Sequence, residues 1–220
     1  MRTIGIGALW VAIVGQSAWI IQVIHRQGKY ETLLYPLGVT LGFAALAVTG
    51  GRYRWIAAML RIFVGIAFLS AIGDRLGIFG GPGTPGASWG SFRNFIIYTG
   101  QVNSFLPLTV IPTLAVIETV IEGLLGFGML LGLGLRVAVL GSTVLLFLFG
   151  LAMTISLGLP STFPFAVFVL ATGTFLMTNV DSSFLSIDRL VRKRLRQASI
   201  ASPNAEGHTS ISERPSTTHS

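Results

Sequence analysis

Residues 108–157 read LTVIPTLAVIETVIEGLLGFGMLLGLGLRVAVLGSTVLLFLFGLAMTISL, and the charged side chains along that stretch are Glu118, Glu122 and Arg136 alone. A hydrocarbon core roughly 30 Å thick takes about 20 apolar residues to cross as a helix. The stretch is long enough to cross twice, and Arg136 stands where the chain would turn. It therefore predicts two spans, Leu108 to Leu135 and Val137 to Leu157. Moving outward, comparable apolar runs cover about Ile4 to Ile24, Leu33 to Thr49, Trp55 to Gly73 and Phe163 to Val180. The expected fold is an all-α, polytopic membrane helix bundle of about six transmembrane helices.

Composition points the same way. The 220 residues are 52% hydrophobic and 10% charged, whereas a soluble domain carries about 25% charged residues. The net charge of +7 does not indicate nucleic acid, because the basic residues cluster beside apolar spans and after the last one, which is how membrane topology is encoded. With no Cys in the chain, disulfides, thiolate metal sites, iron–sulfur clusters and CxxC redox chemistry are excluded. His25 is the one His ahead of the C-terminal tail, so bis-His haem ligation is excluded too. Met59, Met129, Met153 and Met177 read as packing residues, and no metal site is expected.

The first run could be read as a signal peptide, but it is too long and no A-x-A-type cleavage site follows, so a retained helix is expected. In the second, Pro36 falls in the first turn, where its missing N–H costs nothing, and Gly38-x-x-x-Gly42 offers a close-packing face. Between Asp74 and Pro107 lies a long connection in which Gly80, Gly81, Pro82, Gly83, Pro85 and Gly86 make turns; it has none of the flanking residues of a phosphate loop. Trp89, Phe92, Phe95, Tyr98 and Phe105 follow. They predict an interfacial helix in the aromatic belt, or else a lid over a pocket, with Asp74, Arg75, Trp89 and Tyr98 as the candidate pocket residues.

The chain thus divides into two N-terminal helices (1–54), a four-helix core (55–180) with its connection (74–107), and two C-terminal segments. In 181–197, Phe184, Ile187, Val191 and Leu195 recur at helical spacing among five basic residues, as expected of an amphipathic helix lying on anionic lipid. The Ser/Thr/Pro-rich 198–220 is expected to be disordered. Arg2, Arg52, Arg54, Arg136 and the basic tail outweigh Arg26, Lys29, Arg75 and Arg93. Both termini should then be cytoplasmic in a bacterial cytoplasmic membrane, with Arg54 and Arg136 marking the inner interface and the connection outside.

Charges inside spans cost several kcal/mol in lipid, so Arg61, Glu118 and Glu122 should face the bundle interior. The two glutamates, four residues apart, share one helix face. At 1.5 Å per residue, Arg61 lies about 10 Å in from Arg54 and Glu122 about 21 Å from Arg136. A long Arg side chain can partly bridge the difference, so an Arg61–Glu122 pair is expected. Glu118 lies a turn further out, nearer Asp74 and Arg75. The three groups form either a structural ion-pair network or a polar pocket in which a carboxyl exchanges protons with an amphiphile.

The segment from Glu122 through Gly126 and Gly132 to Arg136 resembles the signature of the DoxX/DoxD-like family, in which a Glu opens a Gly-punctuated helix that ends in a basic residue. Arg61-Ile-Phe-Val-Gly65 is similar to the family's first-helix Arg-x-x-x-Gly. Asp74-Arg75-Leu-Gly77-Ile-Phe-Gly80 with Trp89-Gly90 and Phe95-x-x-Tyr98 resembles a subgroup with an extended first loop. The match covers about Trp55 to Val180. It implies a subunit or accessory of a membrane redox system, with a quinone as the implied cofactor and a membrane or periplasmic redox protein as partner. The residues alone also admit a small-molecule transporter or a non-catalytic scaffold.

Overall fold

The computed structural model describes residues 2–27 and 33–201. Lys29 and most of the predicted disordered tail, 202–220, lie outside the described residues. Eight α-helices run in order: α1 Arg2–Gln27, α2 Leu34–Val48, α3 Arg54–Arg75, α4 Phe92–Val102, α5 Ile111–Leu131, α6 Leu135–Leu157, α7 Val167–Met177 and α8 Ile187–Ala201. Short 3-10 turns, Leu108–Val110 and Leu159–Phe165, lead into α5 and α7. Among the described residues all regular secondary structure is helical.

Among the described residues four helices are long and apolar enough to cross a membrane: α1, α3, α5 with its lead-in turn, and α6. The six expected spans are not six straight helices. With 15 residues, α2 reaches about 22 Å, short of a full hydrocarbon core. The last span is a bent pair, Leu159–Phe165 and α7, broken by 64°. Pro160 and Pro164 lack the N–H groups an α-helix would use there, and Ala166 turns the chain with a left-handed φ of 50°.

Large apolar side chains lie exposed along the long helices: Val11, Leu124 and Val137 are more than two-thirds exposed, as suits lipid-facing positions. The core beneath joins all the long elements. Leu9 and Ile13 of α1, Phe43 of α2, Val64 of α3, Met129 of α5 and Leu170 of α7 belong to one buried cluster. The two N-terminal helices are therefore part of the same core as the rest.

Antiparallel α3 and α5 meet at glycines, and that contact sets their register. A Cβ on Gly65 would lie 2.7 Å from the Leu130 nitrogen and 2.9 Å from the Gly126 carbonyl oxygen, so the two backbones all but touch. In membranes such small-residue contacts hold helices together, because no hydrophobic effect does so between apolar surfaces. From that crossing, Gly123 faces Ile72 and Arg75 reaches Thr119.

The expected span Leu108–Leu135 stops at Leu131, because Gly132 (φ 68°) and Gly134 (φ 54°) turn left-handed. The Asp188 carboxylate accepts from the Gly134 and Leu135 amides at 3.2 and 3.0 Å, serving N–H groups that the start of α6 leaves unpaired. Residues 181–186 form an irregular strap with a turn at Phe184 and Leu185 rather than the first turn of the amphipathic helix, so Phe184 belongs to the strap and α8 begins at Ile187. Asp181 initiates the strap by accepting from the Ser183 amide (2.9 Å) and hydroxyl (2.6 Å). At its other end, α8 runs to Ala201, past the expected onset of disorder at Ala198, because no breaker precedes Pro203.

Of the expected Gly38/Gly42 face, Gly42 receives Leu60 of α3 while Gly38 faces open space.

Candidate functional site

The first carboxyl of the site organises the backbone. Asp74, at the last turn of α3, is buried and accepts hydrogen bonds from the Ser88, Trp89 and Gly90 amides at 2.9, 3.0 and 3.2 Å. Three donors converge on one carboxylate, which folds the glycine-rich connection back over the end of α3. Gly90 needs its left-handed φ of 62° there, where a Cβ would strike the backbone of Gly81 and Pro82. Trp89 is thereby held above the helix end.

Arg75, the next residue, turns the other way, into the bundle. Its side chain is 3% exposed and its Nη2 lies 2.5 Å from Glu122 Oε2, while Nη1 donates to Thr119 Oγ1 at 3.1 Å. The guanidinium carbon sits 3.7 Å from the Phe95 ring centroid and 5.3 Å from that of Trp89, a cation–π arrangement strengthened by desolvation. Trp89 packs edge-on against Phe95, 5.2 Å between centroids. The ion pair is close but leaves capacity: Arg75 Nε has no partner and Glu122 Oε2 has no well-directed donor.

This corrects the expected Arg61–Glu122 pair. Arg61 is wholly buried, but at the opposite end of α3, where it donates to the Leu185 carbonyl of the strap at 3.0 Å. It packs against Gly132, where any side chain would collide with its Nη1. The Gly65–Gly126 crossing places Arg61 level with the end of α5, ten residues and about 15 Å along that helix from Glu122. The sequence estimate referred depth on α5 to Arg136, but α5 ends at Leu131, and Arg136 is exposed at the start of α6. Arg75, expected as an outer topology marker, is the true partner. The 14-residue spacing of Arg61 and Arg75 puts both near one face of α3, a signal that favours neither as the partner without the glycine register.

Beside the Arg75–Glu122 pair lies a cavity of about 130 Å³ lined also by Glu118, Trp89, Tyr35 of α2 and Phe165 of the bent turn. Its remaining walls are apolar side chains of α3, α6 and α7. Tyr35 and Phe165 have no motif to mark them; only the packing of α2 and the bent pair brings them here. Glu118 and Glu122 share the cavity, as their spacing implied. Tyr98, fourth of the candidate pocket residues, lines a neighbouring hollow with Ser88, Asn94 and Gln101. Its hydroxyl is buried without a partner, and burial, with Glu118 adding to it, pushes the phenol up to about 12; it stays a proton donor at neutral pH. Trp89 and Phe165 line both spaces and stand between them.

The five aromatics of the connection divide. Phe95 is buried, Trp89, Phe92 and Tyr98 are partly so, and Phe105 is 54% exposed. Of the remaining expected residues, Arg54 pairs with Asp181 at 2.5 Å, about half exposed. Met129, Met153 and Met177 are core, whereas Met59 is 45% exposed.

Fold and site together define a class: an all-helical bundle with an apolar exterior, enclosing a small cavity with a guanidinium and two carboxyls at one end. No protein family, curated protein or solved structure matches the chain.

Proposed function

We propose that the protein is a DoxX-like component of a quinone-linked redox system in a bacterial cytoplasmic membrane, and that the cavity beside Arg75, Glu118 and Glu122 takes the quinone ring. The observation that carries the reading is the cavity itself. An apolar void of about 150 Å³ admits benzene, so about 130 Å³ takes at most one ring, whose substituents would reach into the adjoining spaces. The unpaired Arg75 Nε is a donor for a carbonyl oxygen. Glu118 and Glu122 are carboxyls able to give or take the protons that accompany electron transfer. A bound quinone would supply the redox chemistry; the chain's residues orient the ring, exclude water and hold protons. Electrons would pass to or from a membrane or periplasmic partner protein, since the chain has no thiol of its own. In this reading the chain crosses six times, α2 and the bent pair being the shorter passes, with both termini cytoplasmic.

Titration of the purified protein with a short-chain quinone tests it: saturable binding is expected, reduced in Glu118→Gln. No binding, together with no redox phenotype on gene deletion, would remove the reading. The break at Ala166 favours one other, a small-molecule transporter, since transporters use interrupted helices near their sites. Substrate-dependent uptake into proteoliposomes without any quinone effect would favour it instead.

A further inference from the structure

We infer that the ligand of this cavity is a tailed amphiphile that enters sideways from the bilayer, its head at Glu118 and its single chain lying between α5 and α6. The inference rests on the quinone-class reading of the cavity and adds the route and the tail.

A groove of about 220 Å³ runs along the outer side of α5 and α6, and Glu118, Leu145 and Phe149 line both it and the cavity. These three side chains are the wall between the two spaces. The groove's other walls are apolar except for Asn103, and Ile117, Ile121 and Leu148 are 49%, 41% and 58% exposed, so it opens where lipid would lie. Across Trp89 and Phe165 the cavity also adjoins the hollow with Ser88, Asn94 and Gln101, whose polar side chains make it a poorer path than the groove for a hydrocarbon chain.

Glu118 is the second observation. It is only partly buried, yet among the described residues it has no ion-pair partner, the cavity's one salt bridge belonging to Glu122. A carboxyl left facing hydrocarbon is unfavourable. A hydroxyl on a ligand head would donate to the carboxylate, and a carbonyl would accept from the protonated carboxyl; the attached chain would then lie in the groove. Transfer of that chain from lipid to groove changes little apolar exposure, so the groove acts as a passage and its effect is steric.

The test uses protein in proteoliposomes with Trp10→Phe, Trp19→Phe and Trp55→Phe, leaving Trp89 in the cavity wall as the fluorophore. Two probes are titrated against its emission: 2,3-dimethoxy-5-methylbenzoquinone and the same ring with a decyl tail. Leu148→Phe and Ile121→Phe fill the groove from lipid-exposed positions outside the cavity, and are read singly so that one failing to fold leaves the other. Each should bind the tailless ring as the parent does and the decyl compound about tenfold more weakly. Loss of neither, or equal loss of both in a protein that melts normally, overturns the lateral route while leaving the cavity reading intact. If the parent is quenched by neither probe, the quinone-class reading falls and the route falls with it.

Discussion

Arg75 and Glu122 are each confined by the other, and their energetics follow from that. Removing one member of a buried ion pair leaves an uncompensated charge and costs about 3 to 5 kcal/mol, whereas apolar replacement of both can be nearly neutral. Arg75→Leu and Glu122→Leu should each lower the melting temperature in detergent strongly, and the double variant should recover most of the loss. Arg61→Leu combined with Glu122→Leu should instead be additive, because the two groups share no partner. A cycle that shows coupling for Arg61 and none for Arg75 would refute the pairing. Gly132 has a different constraint. Its left-handed φ of 68° and the contact with Arg61 make Gly132→Ala unfavourable by about 1 to 2 kcal/mol from the backbone alone, readable in the same melting experiment.

Between elements, α3 and α5 approach backbone to backbone at Gly65. Gly65→Ala would push a methyl into backbone atoms of α5, which cannot rotate away as a side chain can. A cost of about 1 to 3 kcal/mol is expected, with weakening of the Arg75–Glu122 contact as the helices separate; loss of ligand affinity out of proportion to the loss of stability would report it. Gly38→Ala, facing open space, is the control and should change nothing. The strap is governed by pH. Burial raises the Asp181 carboxyl, but the Ser183 hydrogen bonds and the charge of Arg54 outweigh it and hold the group below its usual 3.8. A lowered folded value means a contribution that is complete above the ordinary carboxylate range and lost as pH falls through the folded one. The group is half exposed, so screening keeps the contribution below about 1 kcal/mol. The small melting difference between wild type and Asp181→Asn at neutral pH should narrow as pH falls below the ordinary carboxylate range.

At the scale of the molecule, orientation rests on charge. Arg52, Arg54, Arg136 and the basic face of α8 lie at one end of the bundle, and Arg26 and Arg93 at the other. In the proposed orientation, which applies the positive-inside rule, the first end faces the cytoplasm. Reporters fused after Arg54 and after Arg196 should read cytoplasmic, and one inserted near Gly83 external; a cytoplasmic signal at Gly83 would reverse the assignment. Helix class and the apolar stretches were legible in the sequence because they depend on runs of neighbouring side chains: residues 108–157 can hardly avoid forming two apolar helices. So was the shared face of Glu118 and Glu122, a matter of helical period alone. Of the candidate pocket residues Asp74, Arg75, Trp89 and Tyr98, Arg75 and Trp89 line the cavity, while Tyr98 lines the neighbouring hollow and Asp74 instead holds the backbone of the connection. Which charge meets which was not legible. It depends on the register of two helices far apart in sequence, set by backbone contact at Gly65 and Gly126, and a residue without a side chain carries no label for its partner. The break at Ala166, the strap over Arg61 and the cavity walls from Tyr35 and Phe165 likewise depend on packing among elements, and only the tertiary structure decides them.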